Sequence, residues 1–306
     1  MKKIVSLLLV LVIAATLFVA CDKGNDEPTE KDYTLAIGVV VSESLSSSKV
    51  TETVASIVTD ADGKIVLCRI DCVDYQAKYA EGALVTTAPT SKAVLGDNYM
   101  MPAGSWAKQV ATLENFVIGK TQAEVAEVAA NGYAADADLK ASCSFNIADI
   151  VKAIDNAFKS EHKVSFKSTA TQFTAGISVT GSVKDKADDE AMNAQYASDF
   201  SAVVLADGKV VAAIIDSAEV TLKNITDEGA ESIAFAGTKR EQGDAYDSYS
   251  PMAAGRWYQQ VDAFAKTAIG KTSADIATLA AEGVAGCTIY AGGYKAGIEA
   301  AVKAAR

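Results

Sequence analysis

The chain has 306 residues, half of them hydrophobic, with a formal charge of −11 at neutral pH and a single histidine. Two of its 28 basic residues, Lys2 and Lys3, lie in an N-terminal leader, which leaves 26 against 39 acidic residues, or −13, in the remainder. An acidic chain without clustered Lys and Arg excludes nucleic acid and anionic lipid as partners of the folded part. One histidine excludes multi-histidine metal sites and argues against Ser-His-Asp or Cys-His catalysis.

In chain order, Lys2 and Lys3 are followed by a nearly unbroken apolar run from Ile4 to Phe18 and then by small residues, the layout of a secretory leader. The run is short for a spanning helix, which needs about 20 apolar residues. Phe18-Val19-Ala20-Cys21 resembles the bacterial lipobox, with Phe18 where Leu usually stands. The resemblance implies a lipoprotein signal peptide over 1–20, cleavage before Cys21, and diacylglycerol on the Cys21 sulfur. The protein would then sit outside the cytoplasm, anchored to the cell membrane by lipid. An ordinary secretory peptide is the alternative. Residues 21–32 are charged and lack any large apolar side chain, so they are expected to be a flexible tether.

Beyond the tether the chain repeats itself. Asp62-Gly63-Lys64-Ile65 returns as Asp207-Gly208-Lys209-Val210, and Gly96-Asp97 with Tyr99 returns as Gly243-Asp244 with Tyr246. Trp106 to Gln109, ending in Ile118-Gly119-Lys120-Thr121, returns as Trp257 to Gln260, ending in Ile269-Gly270-Lys271-Thr272. The offset grows from 145 (Ile65 to Val210) to 151 (Trp106 to Trp257), so copy two gained a few loop residues. Two tandem repeat domains are expected, over 33–161 and 162–306, each able to fold alone.

Each copy opens with strands. Tyr33 to Val41 and Thr174 to Val183 are β-rich, and Thr53 to Thr59 runs through Asp60-Ala61-Asp62-Gly63 into Ile65 to Tyr75 as a hairpin. Alternation places Val66, Cys68, Ile70 and Cys72 on one face, with Val211, Ala213, Ile215 and Ser217 as counterparts. Asp71 and Asp216 point the other way, as solvated sheet-face residues. One apolar face fits an antiparallel sheet covered on one side.

Helices supply the cover: Trp106, Val110, Leu113 and Val117 recur at helical spacing, as do Trp257, Val261, Phe264 and Ala268. Gly119 and Gly270 stand where a left-handed helix end belongs. Thr121 with Glu124 and Thr272 with Asp275 are capping boxes for the next helices. A short strand through Cys143 or Cys287 and a last helix close each copy. The order gives an α+β fold: two copies of one domain, each an antiparallel sheet covered on one face by helices.

The Ile-Gly-Lys-Thr segments are not phosphate loops, because Glu114 and Ala265 stand where the first glycine is required and the segments follow helices. Cys68 and Cys72, four apart in a strand, would lie about 13 Å from each other, too far for a disulfide. Cys68, Cys72, Cys143 and Cys287 are read as buried free thiols, with a Cys68–Cys143 bridge the alternative. His162 stands alone between the copies. No nucleophile–base pair and no metal-ligand set recur in either copy, so an enzyme is not expected.

The ligand-binding candidates surround the tryptophans: Lys92, Asp97, Tyr99, Trp106 and Gln109, matched by Lys239, Asp244, Tyr246, Trp257 and Gln260. An aromatic wall with amide, phenol and charged groups suits a planar polar ligand. The competing reading is that each Trp only begins a core helix.

On these landmarks the chain resembles a type of tandem-repeat surface lipoprotein of anaerobic Firmicutes. That resemblance identifies a lineage rather than an activity. A second likeness is to extracytoplasmic FMN-binding lipoproteins, which carry FMN on the last Thr of Ser-Gly-Ala-Thr, often followed by Thr-Ser-x-Ala-Val. Here Thr90-Ser91-Lys92-Ala93-Val94 follows Thr87-Ala88-Pro89, so the Gly is absent and Pro89 takes the acceptor's place; Ala236-Gly237-Thr238-Lys239-Arg240 matches less. That likeness implies non-covalent FMN at most. The expected function is a lipid-anchored, non-enzymatic protein binding a small molecule or an envelope partner, with a flavin-linked electron carrier as the alternative.

Overall fold

The computed structural model describes residues 29–86, 89–188, 191–247 and 253–306. The leader, Cys21 and the first part of the tether lie outside the described residues. The tether ends earlier than expected, because Lys31 and Asp32 already pair with Ser168 and Lys167.

The first sheet contains β1 (Lys31–Ser44), β2 (Lys49–Asp60), β3 (Ile65–Ala80) and β4 (Ala83–Thr86), joined beside β1 by the later β9 (Val164–Ser168). Its order is β4-β3-β2-β1-β9, antiparallel throughout. The expected hairpin forms: the Asp60 carboxylate accepts the N–H groups of Asp62 (3.0 Å) and Lys64 (2.9 Å), and Gly63 takes φ +74°. After α1 (Lys92–Leu95) come two short ladders, β5 (Met100–Met101) with β6 (Gly104–Ser105) and β7 (Ala129–Ala130) with β8 (Tyr133–Ala134). Around them run α2 (Trp106–Phe116), α3 (Gln122–Ala126), α4 (Ala137–Ser142) and α5 (Ala148–Lys159).

The second sheet runs β10 (Thr174–Asp185), β11 (Ala194–Ala206), β12 (Lys209–Lys223) and β13 (Ser232–Ala234) in order, also antiparallel. It is followed by α6 (Lys239–Gln242), α7 (Trp257–Lys266), α8 (Ser273–Ala277) and α9 (Gly292–Lys303). Strand β9, which the expected boundary assigned to the second unit, belongs to the first sheet; the change of sheet falls between Ser168 and Thr174.

The sheets are not half-solvated. Leu35, Val50, Val54, Val58 and Tyr75 of the first pack against Tyr196, Phe200, Val204, Ile214 and Val220 of the second in one buried cluster. The outer face of the first sheet packs Ile57, Cys68 and Ile70 on Trp106, Val110, Leu113 and Ile154. The outer face of the second packs Val203, Ala213 and Ile215 on Trp257, Val261, Phe264 and Ile298. The layers are therefore helix, sheet, sheet, helix, and the expected one-sided cover is corrected to cover on both faces. The alternation through Cys68, Ile70 and Cys72 faces the helices; the opposite parity (Val73, Tyr75, Ala77, Tyr79) forms the central layer.

A register irregularity lies at Val58/Thr59 opposite Ile65 to Leu67, and another at Val204/Leu205 opposite Val210 to Ala212. Each shifts the alternation, so Ile65 and Cys68 share the helix side while Val66 packs with the central layer; Val211 does likewise. Each α2- or α7-following glycine is tied back to a strand start. Gly119 donates to Ile65 (2.7 Å) and Ile65 to Lys120 (2.9 Å); Gly270 donates to Val210 (2.8 Å) and Val210 to Lys271 (2.9 Å). The Ile-Gly-Lys-Thr break is a strand clamp.

Two further expectations fail. Asp71 and Asp216 are buried, 1% and 5% exposed, because each carboxylate accepts backbone N–H groups of a helix start. The segments at Cys143 and Cys287 are loops, their backbones bonded to glutamine side chains instead of a strand. All four described cysteines are free and buried, so no Cys68–Cys143 bridge forms.

Candidate functional site

Strand β3 and the short helix α1 build the first cluster. Asp71 Oδ1 accepts the Ala93 N–H (3.0 Å), and Ser91 Oγ caps the Val94 N–H (3.4 Å), which fixes α1 across the strand. Lys92 is thereby held with Nζ 3.4 Å from Asp74 and 5.1 Å above the Tyr99 ring. Asp74 also receives Lys49 Nζ at 3.0 Å and the Thr51 hydroxyl at 2.8 Å. Burial raises the Asp74 carboxyl, but Lys92, Lys49 and Thr51 outweigh it and hold the group below its ordinary value. Burial opposes the Lys92 charge, yet Cys72, Asp74 and Tyr99 around it raise the ammonium overall. These groups border an open cavity of about 390 Å³ lined by Lys49, Asp74, Gln76, Pro89, Thr90, Lys92, Leu95 and Tyr99.

A related cluster lies on β12 and α6. Asp216 Oδ1 accepts the N–H groups of Ser217 (2.8 Å) and Arg240 (3.2 Å). Lys239 Nζ lies 3.2 Å from Glu219, 4.7 Å from the Tyr246 ring and 5.4 Å from the Trp257 ring. Trp257 Nε1 donates to the Tyr294 hydroxyl (3.0 Å), and Ser217 Oγ donates to Asp199 (2.5 Å). Burial opposes the Lys239 charge, but Tyr246, Tyr294 and Glu219 together raise its affinity for the proton. A carboxylate and two ring faces surround this ammonium, whose side chain is as buried as that of Lys92, 12% against 13% exposed.

The structure thus divides the sequence candidates. Lys92 and Tyr99 meet at a cavity; Lys239, Tyr246 and Trp257 meet in an aromatic cluster. Asp97 is a surface tie, accepting Ser105 Oγ (2.7 Å) and pairing with Lys108 (3.0 Å), and Asp244 accepts the Tyr258 hydroxyl (3.1 Å). Gln109 and Gln260 are loop splints. Gln109 donates to Gly104 (2.9 Å) and accepts from Ser144 N–H (2.8 Å); Gln260 donates to Gly255 (2.9 Å) and accepts from Thr288 N–H (2.8 Å). Trp106 and Trp257, each 3% exposed, begin the apolar stripes of α2 and α7. Trp106 also borders an open cavity of about 220 Å³ together with Ile70, Ala93 and Arg306, so the first indole has both a core and a cavity side.

Lys49, Asp74, Gln76 and Thr90 were missed in the sequence. Asp74 and Glu219 are matched acids two residues beyond Cys72 and Ser217, a signal that could have been read; Lys49 carries none. His162 lines a separate cavity of about 330 Å³ where Ile37 and Val39 meet Asp216, Thr238 and Arg240. The four buried thiols are not nucleophiles: burial pushes Cys72 up to about 11 and the others above their ordinary value.

The flavin-like segment does not fit covalent FMN. Pro89 has no hydroxyl, Ser91 is buried as the α1 cap, and Thr87-Ala88 lies outside the described residues. No family model, curated protein or solved structure matches the chain.

Proposed function

We propose that the chain is a lipid-anchored extracytoplasmic binding protein built from two copies of one domain, with the Lys92 cavity taking a small molecule that bears an anionic group. One observation carries the reading. In a strongly acidic chain, the ammonium groups of Lys49 and Lys92 converge on an open cavity and share a single carboxylate, Asp74. The excess positive charge and the Tyr99 phenol are recognition groups for such a ligand; the Gln76 amide beside them is held by the Ser47 carbonyl (2.9 Å). The duplication is supported by the paired strand clamps, the paired register irregularities and the paired glutamine splints.

The test is a melting-temperature titration of the tether-plus-folded chain with inorganic phosphate and with small dicarboxylates. A ligand of the folded state raises Tm with concentration. The rise should vanish in Lys92→Ala and persist in Lys239→Ala; an equal response in both variants refutes the site. For the anchor, Cys21→Ala should move the protein out of the detergent phase, and unchanged partitioning refutes the lipid.

The alternative reading is a flavin-linked electron carrier holding FMN without a covalent bond, supported only by the likeness at residues 90–94. Flavin absorbance in protein from its own host, released on unfolding, would favour it over simple ligand binding.

A further inference from the structure

The central layer holds a carboxyl group that no cation meets. Glu52 of β2 is 0% exposed, between Val41 of β1 and Val73 of β3. Its Oε2 accepts the hydroxyl of Ser198, which projects from β11 of the opposite sheet; Ser198 Oγ lies 2.6 Å from the Tyr75 hydroxyl. Glu52 Oε1 has no partner among the described residues, and neither does the nearby Tyr196 hydroxyl. The Tyr75 and Tyr196 rings meet across the layer, tilted by 36° with centroids 4.7 Å apart. Beside Ser198 stand only Gly181 of β10 and Ala218 of β12, and a Cβ on Gly181 would reach within 2.2 Å of the Tyr75 hydroxyl. The polar contact is thus enclosed by apolar or small residues from five strands.

We propose that Glu52 is a proton-operated fastener between the two sheets: neutral, it bonds across the central layer; ionised, it loosens that layer. The titratable group facing it is Tyr75 from β3, against whose ring Tyr196 of β11 packs, with Asp199 of β11 acting on Tyr75. None is a cation. A protonated carboxyl has a hydrogen to donate to Ser198 or Tyr75, whereas a carboxylate there is a buried charge with one oxygen unpaired, the costly arrangement.

Burial pushes the Glu52 carboxyl up to about 7 from an ordinary 4.5, against the lowering effect of Ser198 and Tyr75. The folded state therefore binds this proton more tightly than the unfolded chain. Its contribution is complete below about 4.5, is lost as pH rises to about 7, and is flat beyond. Within that window the folding constant falls by up to about tenfold per pH unit. Asp216, raised by burial to about 6, adds a loss of the same sign that ends earlier.

The experiment is the Tm of the mature chain from about pH 5 to 8.5, wild type against Glu52→Gln and Glu52→Leu. Wild type should lose several degrees, with the fall continuing to about pH 7. In either variant the fall should be clearly smaller over pH 6 to 7, what remains coming from Asp71, Glu114, Asp199 and Asp216, which burial also raises. An unchanged profile in the variants, or a wild-type Tm that is flat over this range, overturns the proposal. Should neither variant fold, carbon NMR of wild type labelled only at glutamate carboxyls decides it. A midpoint near 7 supports the fastener, and midpoints all below about 5.5 overturn it.

Discussion

Replacing Gly38 with alanine tests the packing of the first outer layer. An ideal Cβ at Gly38 of β1 would stand 2.1 Å from the Ala153 carbonyl oxygen and 2.2 Å from the Ala157 nitrogen of α5. Normal contact needs about 3.4 Å, so the helix backbone must retreat by more than about 1 Å. A gap of that size forfeits a quarter to a half of the dispersion attraction of every contact it opens. Ile150, Ala153, Ile154 and Ala157 are all buried along this line. Overpacking costs about 1–3 kcal/mol where a side-chain tip can yield; here a helix backbone must, so the top of that range is expected. The smaller entropy of an unfolded alanine returns about 0.4–1 kcal/mol. The net loss is about 2–3 kcal/mol, or about 5–10 °C in Tm. Gly176→Ala should behave alike, since its Cβ would lie 1.8 Å from the Ala301 oxygen of α9. The control is Gly63→Ala in the hairpin turn, where nothing lies within 4 Å and only the φ of +74° is strained, at about 1 kcal/mol. Urea denaturation followed by circular dichroism measures all three. If Gly38→Ala is as stable as Gly63→Ala, the close approach of α5 to β1 is wrong.

Gln260→Ala leaves the Gly255 carbonyl and the Thr288 and Ile289 amides without their partner, and should cost about 1–3 kcal/mol. Hydrogen exchange should rise first in the loop before α9; unchanged protection there would remove the splint role. Fragments divided between Ser168 and Thr174 should each be molten or aggregated, because each bares its half of the central layer, and mixing them should restore a cooperative melt. Two independently folded fragments would show that the shared layer contributes little.

Local features of the fold were legible because local physics decides them. Asp60 to Gly63 makes its turn with its own carboxylate and a positive-φ glycine, and Thr121 and Thr272 find their capping partners three residues away. The stripe from Trp106 to Val117 is helical by spacing alone. What could not be read was the partner of the opposite strand face. Nothing local covers Val73, Tyr75 and Tyr79, because the surface that packs on them lies over a hundred residues away in β11. The register irregularities hid the parity as well: one extra residue turned Val66 and Val211 to the face opposite the one that simple alternation gives.

The site was legible in part for the same reason. Lys92 and Tyr99 sit close in sequence, and the same pairing recurs at Lys239 and Tyr246, so the repetition itself marked them. Gln109 and Gln260 recur equally well, yet each is a splint, an amide spanning a loop whose partner lies 28 or more residues away. Repetition alone therefore cannot separate recognition from construction. What separates them is whether the chain already satisfies the group. Gln109 and Gln260 meet their partners within the protein, whereas Lys92 and Lys49 share one carboxylate beside open space. At the second lysine, Glu219 and the Tyr246 and Trp257 rings stand where Lys92 has Asp74 and Tyr99. Loss of binding should then follow Lys92→Ala, and Lys239→Ala should instead lower stability.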